Sequence, residues 1–219
     1  MAPRTATDQL ARARALDAAD PLAAFRTRFA IPDPHVVYFD GNSLGRPPIA
    51  ALEAVRALGE RWSNALIRGW TSSDDGWLEL PLRVGDRIAA GVLGADPDEV
   101  VVADSTTVNL YRLASAALDA RPGRRTVVIE RSEFPTDRYV VEGLARERDL
   151  EIRWLEGHPV EGLSAEDIAA ALDERVALVV LSAVNYRSAA IVDIAAVTAL
   201  ARDAGALVLW DLSHAGGSI

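Results

Sequence analysis

Apolar segments of strand length alternate with segments of helical periodicity through the second half of the sequence. Five strands are predicted there, over residues 99–103, 126–130, 151–155, 176–182 and 206–210. Helices are predicted between them, over residues 107–120, 138–148, 165–172 and 194–204. Residues 177–181 read Ala-Leu-Val-Val-Leu, which lacks apolar–polar alternation and indicates a strand buried on both faces of a mainly parallel sheet. Regular alternation of strands and helices is typical of the α/β class.

The first hundred residues follow a less regular pattern. Short helices are predicted over 8–19 and 21–29, a strand over 36–39 and a turn over 40–45. Longer helices are predicted from Pro47-Pro48 onward and over 80–93. We therefore expect a boundary near residue 60, with an N-terminal arm and its helices over 1–60 and the α/β body over 61–219.

Composition excludes several classes of partner and site. The 219 residues carry a net charge of −9 without a basic cluster, which disfavours nucleic acid and anionic membranes as partners. The sequence contains no cysteine, so disulfides, thiolate nucleophiles and cysteine-ligated metals are excluded within it. The N-terminus lacks the apolar core of a signal peptide, and no run approaches the roughly 18 apolar residues of a membrane span. We expect a cytoplasmic protein.

Polar residues follow several predicted strands, at the sheet edge where ligands of α/β proteins bind. Thr106 and Thr107 begin the helix after the first of these strands. Hydroxyls and unpaired N–H groups at a helix N-terminus form a ready site for an anion. A plain Ser or Thr N-cap is the alternative interpretation of this segment.

The next two strand ends carry weaker signals. Phe134 follows the strand 126–130 and precedes a proline, so its ring is expected to project over whatever occupies the crevice. A core position for Phe134, with capping by Asp137, is the alternative. Ser182 ends the strand 176–182, where a serine is most often only a strand terminus.

Asp211 follows the last apolar strand, and His214 comes three residues later. A carboxylate at the end of a buried strand is costly unless it meets a cation or several donors. The pyridinium nitrogen of pyridoxal 5'-phosphate (PLP) is such a cation, with an aspartate as its usual partner. His214 is expected to contact the cofactor or to orient Asp211. A structural cap is one alternative. A metal-binding Asp/His pair ranks lower because no other His or Cys clusters with it, so no metal is expected.

Five short segments carry a resemblance to a known family. They are Tyr-Phe-Asp-Gly-Asn-Ser-Leu-Gly at 38–45, Thr-Thr-Val-Asn at 106–109, Phe-Pro-Thr-Asp at 134–137, Ser182, and Asp-Leu-Ser-His-Ala at 211–215. Each is weak alone, but the five lie in order at strand ends and turns. From about residue 20 onward the chain resembles kynureninases, which are PLP enzymes of the aspartate-aminotransferase fold type, fold type I.

The resemblance implies hydrolytic cleavage of kynurenine to anthranilate and alanine, in tryptophan catabolism and the kynurenine pathway toward NAD biosynthesis. It also implies a homodimer and substrate contacts from Ser43 and Trp70. Animal members of the family tend to carry histidine where this chain has Trp70, which favours kynurenine over its 3-hydroxy derivative. The residues implied for PLP are Thr106, Thr107, Phe134, Asp137, Ser182, Asp211 and His214.

The sequence departs from the family in one respect that decides catalysis. All 23 of its Lys-plus-Arg positions are arginine, whereas the family's Schiff-base lysine is expected about 25 residues beyond Asp211. The expected fold class is therefore α/β, with the mainly parallel sheet of the PLP fold type I large domain, truncated before the Schiff-base lysine and the C-terminal small domain. Residues 61–219 would form a partial PLP-binding domain that is inactive by itself.

Two alternatives remain open from the sequence. Another fold type I enzyme, such as a cysteine desulfurase or an aminotransferase, also places Asp-x-x-His after a strand. The turn at 42–45 and Phe134-Pro135 favour kynureninases over that alternative. The second alternative is a non-catalytic binding module that retains the PLP pocket and needs no lysine.

Overall fold

The computed structural model describes residues 5–72 and 76–218. The chain divides into two compact units, Met1–Leu78 and Glu79–Ile219. The division predicted near residue 60 lies inside a helix of the first unit, Ile49–Ala65. Among the described residues, every buried hydrophobic side chain belongs to the second unit, which also holds the sheet.

The first unit consists of helices joined by irregular segments. Its helix α1 (Ala6–Ala19) starts at Thr5, whose side chain accepts from the Asp8 N–H while the Asp8 carboxylate accepts from the Thr5 N–H. This reciprocal capping satisfies N–H groups that a helix start leaves unpaired. The remaining helices are a 3-10 helix at Ala23–Arg28, α2 at Ile49–Ala65 and a second 3-10 helix at Leu66–Trp70.

The strand predicted over 36–39 is wrong. These residues form no strand, and Val37 and Phe39 are 77% and 92% exposed. A strand needs a neighbour that satisfies its backbone groups, and none of the described residues pairs with this segment as a ladder. Its apolar composition is therefore not sufficient to make it a strand.

The second unit is built on a four-stranded sheet in which all strands run parallel. The spatial order is β2-β1-β3-β4, so β1 and β3 are central. The strands span Thr126–Glu130 (β1), Glu151–Leu155 (β2), Val176–Ser182 (β3) and Leu207–Asp211 (β4). The predicted bounds of β1, β2 and β3 are confirmed, and β4 is displaced by one residue.

Helices cover both faces of this sheet. They are α4 (Thr106–Asp119), α5 (Pro135–Arg148), α6 (Ala165–Ala170) and α7 (Ile194–Asp203). Ahead of them in the chain, the second unit contains α3 (Leu80–Ile88), which continues into a π-helical turn (Ala89–Leu93). Val180 of β3 packs into one core with α4 and α5, whereas Val179 and Leu181 pack into the other with α6 and α7. Burial of β3 on both faces is thus confirmed, and each buried Val or Leu contributes about 1.5–3 kcal/mol.

The strand predicted over 99–103 is also wrong. The segment is irregular, and its backbone contacts α3 instead of another strand, because the Val102 N–H donates to the Pro81 carbonyl at 3.2 Å. Gly85 of α3 permits this approach, since a Cβ at Gly85 would lie only 1.8 Å from the Val100 carbonyl oxygen. Packing against α3, and not pairing with a strand, therefore fixes the course of this segment, which leads into α4.

Candidate cofactor site

The carboxyl ends of β1, β3 and β4 bring several predicted site residues to one edge of the sheet. Ser182 is the last residue of β3 and Asp211 the last residue of β4, and the register pairs them. Asp137 lies in the first turn of α5, which follows β1 after a short loop. Because parallel strands have their carboxyl ends at the same edge, residues far apart in the chain converge here.

Asp137 and Asp211 form a carboxylate pair at this edge. Asp137 is 1% exposed, and its side chain interacts directly with that of Asp211. Burial, followed by the negative charges of Asp211 and Glu133, raises the pKa of Asp137 to about 7. The Asp137 Oδ2 atom is buried and meets no hydrogen-bond donor among the residues that the structure describes. The pair therefore offers an unsatisfied acceptor to a cationic or proton-donating ligand.

The orientation of Asp211 is fixed from its own turn. The Ser213 N–H donates to the Asp211 Oδ1 at 2.7 Å, and the Asp211 carbonyl accepts from the Ala183 N–H at 3.0 Å. His214 follows in the same turn and is half-buried, with the Ala215 N–H donating to the Leu212 carbonyl. His214 therefore lies in the turn that follows Asp211, and its role toward a cofactor stays a prediction.

Glu133 is a residue of this site that the sequence did not reveal. It is 2% exposed, and both the N–H and the hydroxyl of Ser182 donate to its carboxylate. Burial raises the pKa of Glu133, and these hydrogen bonds from Ser182 oppose the rise. A glutamate after a strand is ordinarily solvated, so only the tertiary structure identifies this one as buried.

Phe134 is the last residue of the loop that joins β1 to α5, and its ring contacts the loop that follows β3. Phe134 is 40% exposed as a residue, and its ring meets the ring of Tyr186 edge-on, with centroids 5.2 Å apart and an interplanar angle of 72°. The Phe134 N–H donates to Glu133 at 3.1 Å. The core position considered from the sequence is not observed, because the ring keeps a substantial accessible surface.

Thr106 and Thr107 occupy the first turn of α4. The N-cap is the preceding residue, Ser105, whose side chain accepts from the Val108 N–H at 3.4 Å. Neither threonine is therefore the cap, and Thr106 is exposed while Thr107 is half-buried. An anion at this helix start would meet their hydroxyls and the remaining free N–H groups.

Ser43 and Trp70 belong to the first unit. The Ser43 N–H donates to the Asp40 carbonyl at 3.2 Å within a turn that Tyr38 closes by donating its hydroxyl to the Leu44 carbonyl. Trp70 ends a 3-10 helix and is about half exposed. Their predicted contact with a substrate stays a prediction.

The described residues provide neither a metal-binding cluster nor a membrane-spanning helix. Residues 5–72 and 76–218 contain no group of three or more His, Asp or Glu side chains arranged to hold a metal ion. Within the same residues, no helix has the length and apolar character needed to span a bilayer.

Residues 37–219 match the family model described as aminotransferase class-V. The chain belongs to the aminotransferase class-V family. Among its curated relatives, the kynureninase of Pseudomonas fluorescens is 43% identical over 212 residues, covering 94% of this chain and 48% of that protein. The kynureninase of Burkholderia mallei (strain SAVP1) is 44% identical over 214 residues, covering 94% and 49%. This class-V chain thus spans about half the length of the curated relatives it matches.

Solved structures show the same fold. A mutant of C-DES with glycine covalently linked to its PLP cofactor superposes with a TM-score of 0.68 at 20% identity, over 86% of this chain and 51% of that one. The cysteine desulfurase CsdA from Escherichia coli gives a TM-score of 0.69 at 17% identity, over 88% and 49%. The α/β fold with a parallel sheet, predicted as part of a fold type I large domain, is confirmed.

Proposed function

We propose that these residues form the PLP-binding part of a kynureninase, which cleaves kynurenine hydrolytically to anthranilate and alanine. The observation that carries the proposal is the similarity to kynureninases along nearly the whole chain. Because the chain covers about half of each relative, the activity is proposed for a complete enzyme and PLP binding for the chain itself.

The residues at the sheet edge fit PLP. A protonated ring nitrogen would bring both a positive charge and a hydrogen to the Asp137–Asp211 pair, whose Asp137 oxygen meets no donor among the described residues. The start of α4, with Thr106 and Thr107, suits the phosphate. The partly exposed ring of Phe134 suits stacking on an aromatic ring.

The chain's own residues would bind and orient the cofactor. PLP supplies an electron sink for bond cleavage in an amino acid attached to it. Asp211 would keep the ring nitrogen protonated, and the Ser213 N–H holds that carboxylate in place. The burial of Asp137 keeps its carboxylate away from bulk water, whereas Asp211 is only partly buried. Ser182 and His214 complete the proposed set of cofactor residues.

The lysine that would bind PLP covalently is not among these 219 residues, since the sequence contains none. We therefore place this lysine in the part of the relatives' length that this chain does not cover. Ser43 and Trp70 are proposed substrate contacts of the first unit. A cytoplasmic homodimer is proposed for the complete enzyme.

A hybrid enzyme tests the proposal. This chain would replace the matching segment of the Pseudomonas fluorescens kynureninase, and anthranilate release from kynurenine would be followed by fluorescence. We expect activity that Asp211→Ala lowers about a hundredfold or more, as the loss of a preorganised electrostatic contact does. Asp203→Asn, at an exposed position of α7, is the matched control and should leave the rate unchanged.

The alternatives predict other outcomes of the same assay. A hybrid that binds PLP but releases sulfur from cysteine, and no anthranilate from kynurenine, would replace the proposal by a desulfurase. A hybrid that binds PLP and transforms neither substrate would identify the chain as a binding module.

A further inference from the structure

Phe134 has a fixed backbone, but the backbone does not orient its ring. The Phe134 N–H donates to the Glu133 carboxylate at 3.1 Å, and the following Pro135 restricts the main chain to an extended conformation, with φ −55° and ψ 135°. A phenylalanine ring still has about three staggered χ1 rotamers. Among the described side chains, Phe134 belongs to neither hydrophobic core, so core packing does not select one rotamer.

Tyr186 contacts this ring from the loop after β3. Their edge-on contact, with 5.2 Å between centroids, has the geometry that aromatic pairs prefer, because the positive edge of one ring meets the negative face of the other. Within the described residues, Phe134 contacts no other aromatic ring. A change of χ1 rotamer would swing the Phe134 ring away from Tyr186, so the contact favours the rotamer that is observed.

The Tyr186 ring is itself held in place. The Arg187 Nε donates to the Tyr186 hydroxyl at 2.8 Å, and the Arg187 Cζ lies 5.3 Å from the centroid of the ring. A guanidinium at this distance from an aromatic ring is attracted to it. Tyr186 therefore offers Phe134 a restrained partner.

The loop that carries Tyr186 is anchored by Asn185, which is 8% exposed. The Asn185 Oδ1 accepts from the Arg187 N–H at 2.9 Å, and its Nδ2 donates to the Ser132 hydroxyl at 3.1 Å. Ser132 lies in the same loop as Phe134, between β1 and α5. The two loops are thus joined at Asn185 and again at the contact between the two rings.

We propose that Tyr186 is a positioning residue that holds the Phe134 ring in one rotamer before the cofactor binds. The inference rests on the proposed PLP site, in which Phe134 offers its ring to the cofactor. A ring that occupies about three rotamers is ready to bind only part of the time, and the affinity is reduced by that fraction. Restraint by Tyr186 therefore accounts for about a threefold gain in affinity for PLP.

The first test measures the rotamer without any cofactor. In the full chain labelled with 13C and 15N, the three-bond couplings of the Phe134 Cγ to its backbone nitrogen and carbonyl carbon report χ1. We expect the couplings of one rotamer in the wild type and averaged couplings in Tyr186→Leu, because the ring contact is lost. Tyr186→Phe keeps the ring and should retain the single rotamer. Tyr139→Leu, at a 62% exposed position of α5, is the matched control and should retain it too.

The second test measures the consequence for PLP, whose binding to the full chain would be followed by tryptophan fluorescence. We expect Tyr186→Leu to raise the Kd about threefold and Tyr139→Leu to leave it unchanged. In a Phe134→Leu background, Tyr186→Leu should have no further effect, because the ring that Tyr186 positions is gone. A merely structural role of Tyr186 would instead weaken binding equally in both backgrounds.

The outcomes separate this inference from the proposed function. Averaged Phe134 couplings in the wild type, or a single rotamer in Tyr186→Leu, overturn the inference even if PLP binds well. A Kd that Tyr186→Leu leaves unchanged, or raises equally in both backgrounds, overturns it too. Failure of the wild type to bind PLP contradicts the proposed site itself, while the couplings still decide whether Tyr186 holds the ring. If Tyr186→Leu does not fold, the wild type decides, because absence of a nuclear Overhauser contact between the two rings overturns the inference and its presence with single-rotamer couplings supports it.

Discussion

Buried carboxylates gather at one edge of the sheet. Glu133 and Asp137 are nearly inaccessible, and Asp211 lies beside Asp137. Burial of like charges is unfavourable unless a proton or a cation reduces their repulsion. The edge is therefore a place where the protein without its ligand is less stable than it would be with neutral side chains.

The titration of Asp137 should appear in the pH dependence of stability. Its ordinary pKa of 3.8 is raised to about 7 in the folded chain, chiefly by burial. Between these values unfolding releases the proton, so the free energy of unfolding falls as the pH rises. Asp137→Asn should flatten that fall, measured by urea unfolding at about pH 5 and about pH 8. Asp203→Asn should keep the wild-type slope, and an equal slope in Asp137→Asn would show that another group is responsible.

The residues of the site were only partly predictable from the sequence. The sequence predicts Asp211 because it directly follows an apolar strand, and Phe134 because it lies in the loop after a strand and precedes a proline. The Asp137–Asp211 contact depends on how α5 docks. The burial of Glu133 depends on how the loop after β1 packs against Ser182, the last residue of β3. Both are decided by tertiary packing, which no local pattern encodes.

At the scale of elements, segments that pair within the sheet were predicted well, and apolar segments without a strand partner were not. β3 has an unbroken apolar run and pairs on both sides with β1 and β4. Residues 36–39 and 99–103 have similar composition, but the sheet has no position for them. A β-strand forms only when a neighbouring strand pairs with it, so apolar composition predicts a strand only where such a partner exists.

The approach of α3 to the segment after it makes Gly85 sensitive to substitution. A methyl group at Gly85 would meet the Val100 carbonyl at 1.8 Å, so Gly85→Ala should destabilise the chain by about 1–3 kcal/mol. Gly143 of α5 has open space around its Cβ position, so Gly143→Ala should stabilise by about 0.5–1 kcal/mol through helix propensity. Urea unfolding of both variants checks this, and equal effects would contradict the close approach.

At the scale of the whole molecule, stability is distributed unevenly between the two units. The first unit has no buried hydrophobic side chain among its described residues, whereas β1 and β3 are buried along their full length. Regions with few buried apolar contacts open most easily. Amide hydrogen exchange of the full chain should be fast in α1 and α2 and slowest in β1 and β3. Slow exchange in α2 would show that partners outside its own unit protect it.

This uneven distribution also sets an order for folding during synthesis. The first 78 residues leave the ribosome early, and residues 5–72 and 76–78 contain no buried hydrophobic side chain. β1 then waits for β3, its central neighbour, which follows some fifty residues later in the chain. Domains usually fold from the N-terminus as they emerge. Here the N-terminal helices are synthesised first, so the nascent chain would present them to chaperones while the strands of the second unit are still being made.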